Sequence, residues 1–362
     1  MRRPPYPLAD RIVVITGGGG GLSRAFAGLV AARGARCVLV DIRSAAARAV
    51  AESLPGGTSR HEARAADLTV RSEVEALMDD IAASHGHIDV LVNNMGMTSA
   101  ARFDERSVES IERELTVNLV APLVLTRLAI PLLRRAPDPR VVTTVSLGGI
   151  FPLGETPIYT SSKFGLRGAM LSIALDLRAK GIIAGSVMPS ATDTRMLRQE
   201  ALDGGNSLQF LDPPQTPEQV ARTMVGLLDR PRLEAYPRPS ESWLVRAALL
   251  VPNALPRLMP LFAGRGERGL AAYLADLRAR GLVVERDGVL RLVEDDTPPP
   301  ADTAAPPPGA GSGLAVSDQA AGQHGDVGEA VHGEGGGRGL GAAAGAAHHD
   351  DRTAGRDAGE VA

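Results

Sequence analysis

The chain has 362 residues, a formal net charge of −3 and a single cysteine, Cys37. This balance lacks the basic footprint of a nucleic-acid binder, and a lone cysteine closes no intramolecular disulfide. The three histidines before residue 297 (His61, His85, His87) have no close cysteine partner, so no metal site is expected.

The Met-Arg-Arg-Pro-Pro start lacks the apolar stretch of a secretory signal, and a reducing, cytoplasmic location is expected. From Arg11 onward, short β-branched apolar runs alternate with longer helical patterns, as in βαβ units stacked into a parallel sheet. The runs Ile12–Ile15, Cys37–Val40, Glu62–Ala66, Ile88–Val92, Val141–Val145 and Ile182–Val187 predict strands, and Leu233–Tyr236 a seventh. Their near-continuous apolarity suits strands covered on both faces, the third run fitting least well. Helices are predicted over Leu22–Arg33 before Gly34, over Val70–Ser84 before Gly86, from Thr156-Pro157 to Gly181, and over Pro217–Leu228.

The expected fold is α/β: a Rossmann-type doubly wound parallel sheet of about seven strands in a single domain spanning residues 8–238. Residues 239–296 read as a C-terminal helical extension, with Leu270, Tyr273, Leu274 and Leu277 at helical spacing. Closing the core is the leading reading, and a substrate lid or a membrane-surface contact are the others. Within it, the apolar stretch from Trp243 to Phe262 is broken by Arg246, Arg257, Pro252, Pro256 and Pro260, so it predicts no transmembrane helix. Residues 297–362 hold no aromatic residue and only six aliphatic anchors (Leu314, Val316, Val327, Val331, Leu340, Val361), which predicts a disordered Gly/Ala/Pro-rich tail.

The first strand runs into Thr16-Gly17-Gly18-Gly19-Gly20-Gly21-Leu22-Ser23 and then a helix. Glycines let the backbone turn tightly and approach a pyrophosphate, whose charge then sits on the open N–H groups of the helix. Gly-rich turns are also common loop punctuation; the strand before and the helix after favour the phosphate. Twenty residues beyond Gly21, Asp41 ends the second strand. A carboxylate there accepts hydrogen bonds from both adenosine ribose hydroxyls and repels a 2′-phosphate, so NAD is expected over NADP, with Arg43 able to soften the preference. The bland alternative for Asp41 is a solvated strand end or a helix cap.

Tyr159 and Lys163 lie four apart near a helix start and project from one face. A phenol of ordinary pKa near 10 is a poor base unless a cation and a positive helix end stabilise its anion. Only two of the 39 Lys and Arg residues are lysines, Lys163 and Lys180, so Lys163 stands out from an Arg-rich background. Ser146 ends the fifth strand, where a hydroxyl points into the ligand crevice of an open α/β sheet. Taken alone, Ser146 is a loop cap, Asn93-Asn94-Met95-Gly96 turn chemistry, and Asn118 an ordinary polar position or kink in a long helix. Position favours function, because Gly17, Asp41, Asp67, Asn93, Ser146 and Pro189 each follow the carboxyl end of a predicted strand.

Over residues 8–238 these features resemble the short-chain dehydrogenase/reductase (SDR) family. Its Thr-Gly-x-x-x-Gly-x-Gly matches Thr16, Gly17 and Gly21, its Asn-Asn-Ala-Gly matches Asn93, Asn94 and Gly96, and its Tyr-x-x-x-Lys matches Tyr159 and Lys163. The resemblance implies that Ser146 is the catalytic serine, that Asn118 orders a relay water near the lysine, and that Asp67 and Leu68 contact adenine. Pro189 and Thr194, from the Pro-Gly-x-x-x-Thr segment, would contact the nicotinamide half. Ser23, Met95 and Ser190 depart from the family's glycine, alanine and glycine, which bears on packing and cofactor affinity rather than on chemistry.

The expectation is an NAD-dependent oxidoreductase interconverting an alcohol and a ketone or aldehyde, with no metal. Tyr159 exchanges the hydroxyl proton, Lys163 lowers its pKa and binds the nicotinamide ribose, Ser146 holds the substrate oxygen, and Asn118 completes the catalytic set. The cofactor set is Thr16, Gly17, Gly21, Leu22, Asp41, Asp67, Leu68, Asn93, Gly96, Tyr159, Lys163, Pro189 and Thr194. Segments after strands five and six carry Leu147, Ile150, Phe151, Leu153, Met188, Met196, Leu197, Leu208, Phe210 and Leu211, which predicts a bulky hydrophobic alcohol or ketone. A homodimer or homotetramer is expected. Two other readings stay open: a catalytically silent dinucleotide-binding scaffold, and a membrane-surface lipid reductase using residues 243–262 for peripheral contact.

Overall fold

The computed structural model describes residues 4–286 and 289–293, and the expected tail lies outside the described residues. The elements follow in the order β1 (Ile12–Thr16), α1 (Gly21–Ala31), β2 (Arg36–Asp41), α2 (Ser44–Ser53), β3 (Glu62–Ala65), α3 (Arg71–His85), β4 (Val90–Asn93), α4 (Val108–Leu115), α5 (Ala121–Leu133), β5 (Arg140–Thr144), α6 (Pro157–Arg178), β6 (Ile183–Val187), α7 (Arg195–Leu202), α8 (Pro217–Asp229) and β7 (Glu234–Ala235). All seven expected strands form one parallel sheet in the order β3-β2-β1-β4-β5-β6-β7. Strand order reverses between β1 and β4, and the crevice at that reversal opens at the carboxyl ends of the strands.

Alternate residues of each strand supply opposite faces. Val14, Val38, Val40, Leu91 and Val141 pack with Leu77 and Ile81 of α3, Leu125 and Leu133 of α5, and Leu166 and Met170 of α6. Their neighbours Val13, Ile15, Leu39, Val92 and Val142 pack with Phe26 and Val30 of α1, Val50 of α2, and Met224 and Leu227 of α8. Every residue of β1 and β4 is buried, which explains runs without polar alternation. The weakly patterned third strand is the sheet edge, where Glu62 and Arg64 blunt further pairing.

The long helix expected around Asn118 runs continuously over Val108–Leu133, with a π-helical turn over Thr116–Val120 between α4 and α5. Such turns arise where a helix accommodates one extra residue, often at a functional site. The Val108–Leu133 stretch is also the one described helical run long and apolar enough to cross a membrane. Here it sends Leu125, Ala129, Leu132 and Leu133 into the core.

The extension forms α9 (Pro239–Leu249), α10 (Leu255–Ala279) and an antiparallel hairpin of β8 (Val283–Arg286) and β9 (Val289–Leu292) that sequence pattern had not indicated. Tyr273, Leu277, Val283 and Leu292 join Leu197, Ala201 and Phe210 in a third apolar cluster. Asp193, in the loop after β6, ties this layer to the site. It accepts hydrogen bonds from Tyr273 Oη at 2.7 Å, Arg198 Nε at 2.8 Å and Arg280 Nη1 at 2.8 Å. Burial works against its carboxylate, but these donors outweigh it and hold its pKa below the ordinary value. Trp243, Leu250 and Leu261 of the extension are exposed.

Candidate active site

A cavity of about 820 Å³ runs along the carboxyl edge of the sheet. Of the residues expected from sequence, Gly17, Gly21, Leu22, Asp41, Asp67, Leu68, Gly96, Ser146, Tyr159, Lys163, Pro189 and Thr194 line it. Thr16, Asn93 and Asn118 do not; they are buried behind the wall.

At one end is the glycine turn. Gly17 has φ +63°, the left-handed region that side chains rarely adopt. A Cβ on Gly19 would lie 2.6 Å from Ala46 Cβ and 3.2 Å from Asp41 Oδ2. Gly20, at the N-cap of α1, provides no side-chain cap, which leaves N–H groups of the first turn for an anion. Asp41 is held in place, its Oδ2 accepting from Gly19 N at 3.0 Å and its Oδ1 from Arg43 N at 2.9 Å. Thr16 braces the turn from below, as its Oγ1 accepts from the N–H groups of Asn94 at 2.9 Å and Met95 at 3.1 Å. Ser23 uses its hydroxyl to accept from Asn94 Nδ2 at 2.9 Å, so the departure from glycine adds a clamp between α1 and the loop after β4. Asn93 donates to Thr126 Oγ1 at 2.9 Å and Thr143 Oγ1 at 3.2 Å, joining β4, α5 and β5.

Tyr159 and Lys163 both come from the start of α6, and the Lys163 ammonium lies 5.6 Å from the Tyr159 ring centre. A Cβ built on Gly148 would be 3.2 Å from Tyr159 Cε1 and 3.4 Å from Ser146 Oγ, so phenol and serine hydroxyl flank one point. Ser146 Oγ accepts from Gly148 N at 2.9 Å. Lys163 Nζ donates to Thr144 O at 3.4 Å. The Asn118 side chain is committed to the loop after β4: it accepts from Met97 N and donates to Met97 O, each at 2.8 Å, and donates to Ser162 Oγ at 3.1 Å.

A family profile described as short chain dehydrogenase matches residues 11–203, more than half of the chain. The chain belongs to the short-chain dehydrogenase family. It is 28% identical over 227 residues to a D-threitol dehydrogenase of Mycolicibacterium smegmatis, covering 61% of this chain and 87% of that one. It is 33% identical over 221 residues to a meso-2,3-butanediol dehydrogenase of Serratia marcescens, covering 60% and 87%. The fold is shared with a short chain dehydrogenase/reductase from Burkholderia phymatum, solved in complex with NAD, at TM-score 0.63 and 22% identity over 68% of this chain and 96% of that one. As a member of this family the chain is an oxidoreductase acting between an alcohol and its carbonyl partner with a nicotinamide dinucleotide.

In this short-chain dehydrogenase the phenol of Tyr159 is pushed up to about 12. Burial is the chief cause, the Ser146 hydroxyl opposes it, and the negative fields of Glu200 and Glu114 add to it. Burial also draws Lys163 down to about 8, with Glu114 working the other way.

Glu114, on α4 one turn before Asn118, is fully buried and paired with Arg106 at 2.7 Å. Its spacing from Asn118 was a usable signal, since residues four apart share a helix face. Glu200, on α7, lines the cavity as well, and no motif marks it.

The apolar set expected around the substrate is placed differently from the expectation. Met196 and Leu197 line the cavity, but Ile150 and Met188 lie in the core against α6, and Phe210 packs on Tyr273. Apolar residues beside a crevice serve the core as readily as a ligand, so composition alone overstated the hydrophobic lining.

Proposed function

We propose that this chain transfers hydride between NAD(H) and a small alcohol or its carbonyl partner, with Ser146, Tyr159 and Lys163 as catalytic residues and Asn118 as a positioning residue. The observation that carries this reading is that Ser146 and Tyr159, whose hydroxyls interact, line one cavity together with Lys163, the glycine turn and Asp41. The cofactor supplies or accepts the hydride at its own nicotinamide ring.

In the reducing direction Tyr159 gives its phenolic proton to the carbonyl oxygen, and in the oxidising direction it takes the proton back. Burial keeps the phenol protonated at neutral pH, which suits the donor role. Ser146 hydrogen-bonds the same oxygen as charge develops on it. Lys163 and Thr194 hold the nicotinamide half together with Pro189, and Asp67 and Leu68 border the adenine. Asn118 fixes the loop after β4, on which Gly96 packs against Lys163.

Asp41 favours NAD. Its carboxylate is pinned at the glycine turn, and Arg43 pairs with it at 3.8 Å, a partner already engaged rather than a cation waiting for a 2′-phosphate. Relatives named for D-threitol and meso-2,3-butanediol support a small alcohol. Met97, Met196 and Leu197 offer cover for its apolar part.

The test follows cofactor absorbance across alcohols and ketones with NAD(H) and NADP(H) in parallel. NAD should be preferred by about tenfold or more in kcat/KM, about 1.4 kcal/mol, and Asp41→Ala should narrow the gap. Tyr159→Phe should lower turnover by about 10²–10⁴-fold or more while NADH still binds. Wild-type turnover by Tyr159→Phe, or a preference for NADP, would overturn the corresponding assignment.

A further inference from the structure

Helix α7 buries Leu197, Glu200 and Ala201 on one face. Leucine and alanine belong there; a carboxylate does not, because its burial is costly unless hydrogen bonds compensate. Glu200 is 7% exposed and lines the same cavity as Tyr159 and Ser146.

Three features of the chain hold it there. Gln209 Nε2 donates to Glu200 Oε1, and the Asn206 backbone N–H also faces the carboxyl. The Glu200 carbonyl accepts from Gly205 N at 2.8 Å, which closes the end of α7 beneath the side chain. A Cβ on Gly205 would strike Glu200 Cγ and lie 3.2 Å from Oε1, so only glycine leaves the carboxyl its place. The turn carrying Gln209 is itself seated on α10, where a Cβ on Gly266 would lie 2.6 Å from Ser207 O.

Topology gives the direction in which Glu200 acts. Asp41 ends β2 and α7 follows β6, on opposite sides of β5, whose end carries Ser146. The cofactor acid and Glu200 therefore lie on opposite sides of the reacting point. A carboxyl group offers about four acceptor sites, and the two donors found here leave acceptor capacity on a residue that lines the cavity.

We propose that Glu200 is a specificity-determining residue that accepts a hydrogen bond from a second hydroxyl of the substrate, so that polyols and hydroxyketones are preferred over simple alcohols and ketones. The proposal rests on the alcohol and carbonyl reading above and deepens it. It also explains why burial was tolerated: with a pKa raised to about 7, chiefly by burial, the carboxyl accepts a hydroxyl in either protonation state, whereas a cationic substrate would require the ionised form. A site built to bond a hydroxyl rejects the analogue lacking it, because its own polar group is then left without a partner.

The test compares four-carbon substrates of equal chain length, 2-butanol, the 2,3-butanediol stereoisomers, 3-amino-2-butanol and erythritol, with wild type, Glu200→Gln and Glu200→Met. The readout is the ratio of kcat/KM for the best diol or tetrol to that for 2-butanol. It should be about tenfold or more in wild type, close to one in Glu200→Met, and intermediate in Glu200→Gln, which keeps the shape and the Gln209 contact. A ratio near one in wild type, a ratio unchanged in Glu200→Met, or a preference for the amino alcohol would overturn the proposal.

If wild type turns over no alcohol, the dehydrogenase reading itself fails. The same ratio is then read as ligand-induced shifts in Tm of the NAD-saturated protein. A shift by the diol that is absent in Glu200→Met supports Glu200 as the hydroxyl acceptor, and equal shifts in both proteins overturn it.

Discussion

Lys163 is a cation placed where burial disfavours its charge, and its proton affinity is sustained by Glu114. With a pKa near 8, Lys163 is charged below that pH and neutral above it. A neutral amine binds ribose hydroxyls more weakly than an ammonium, so kcat/KM for NADH should fall as pH rises through about 8. Glu114→Gln removes the negative field that raises the Lys163 pKa, and the fall should then begin at lower pH; a limb that stays in place would assign it to another group. The spacing of Tyr159 and Lys163 was legible because helical geometry fixes which side chains share a face. The field around them was less so: Glu114 could be sought from its spacing to Asn118, but Glu200 comes from a separate helix, and only the folded chain brings both charges near the phenol.

At the scale of elements, the contact between α10 and the turn over Ser207–Phe210 decides how firmly the α7 side of the cavity is built. Gly266 and Gly269 lie three apart on one face of α10, and Cβ atoms there would meet Ser207 O and Phe210 O. Backbone atoms at such a contact move only if the helix moves. Gly266→Ala should therefore lift α10 from the turn, at a cost of about 1–3 kcal/mol typical of overpacking. Because that turn carries Gln209, which holds Glu200, the substitution should also raise KM for a hydroxylated substrate while leaving the Kd for NADH nearly unchanged. Thermal melts and NADH titration check the two halves of this expectation, and parallel losses in both would mean a general loosening. Glycine inside a helix is ordinarily a weak point; the use of these two as a close-approach seam depends on a partner that lies more than fifty residues away.

The described residues form a dinucleotide-type sheet with a second layer, α10 and the β8–β9 hairpin, packed against α7 and the turn over Ser207–Phe210. The sheet was readable because strands buried on both faces leave near-continuous apolar runs, as in Ile12–Thr16, and because glycines such as Gly86 end helices in the left-handed region. The hairpin of β8 and β9 was not, since two half-exposed strands of four residues each are too short to show a period. Truncation separates the layers. Ending the chain after residue 296 removes a stretch with only six aliphatic anchors and no aromatic residue, so Tm and activity should stay unchanged. Ending it after residue 238 removes Tyr273, Leu277, Val283 and Leu292 from the third apolar cluster and two of the donors to Asp193. Full burial of each such apolar side chain contributes about 1.5–3 kcal/mol, and a loss of several kcal/mol lowers Tm by about 10 °C or more in a domain of this size. Because Leu197 and Ala201 share a helix with Glu200, the shorter chain should also lose turnover before it loses NADH binding. A 1–238 protein with native Tm and kcat/KM would show that the second layer is dispensable, and a 1–296 protein with reduced Tm would show that the last sixty-six residues contribute to the fold after all.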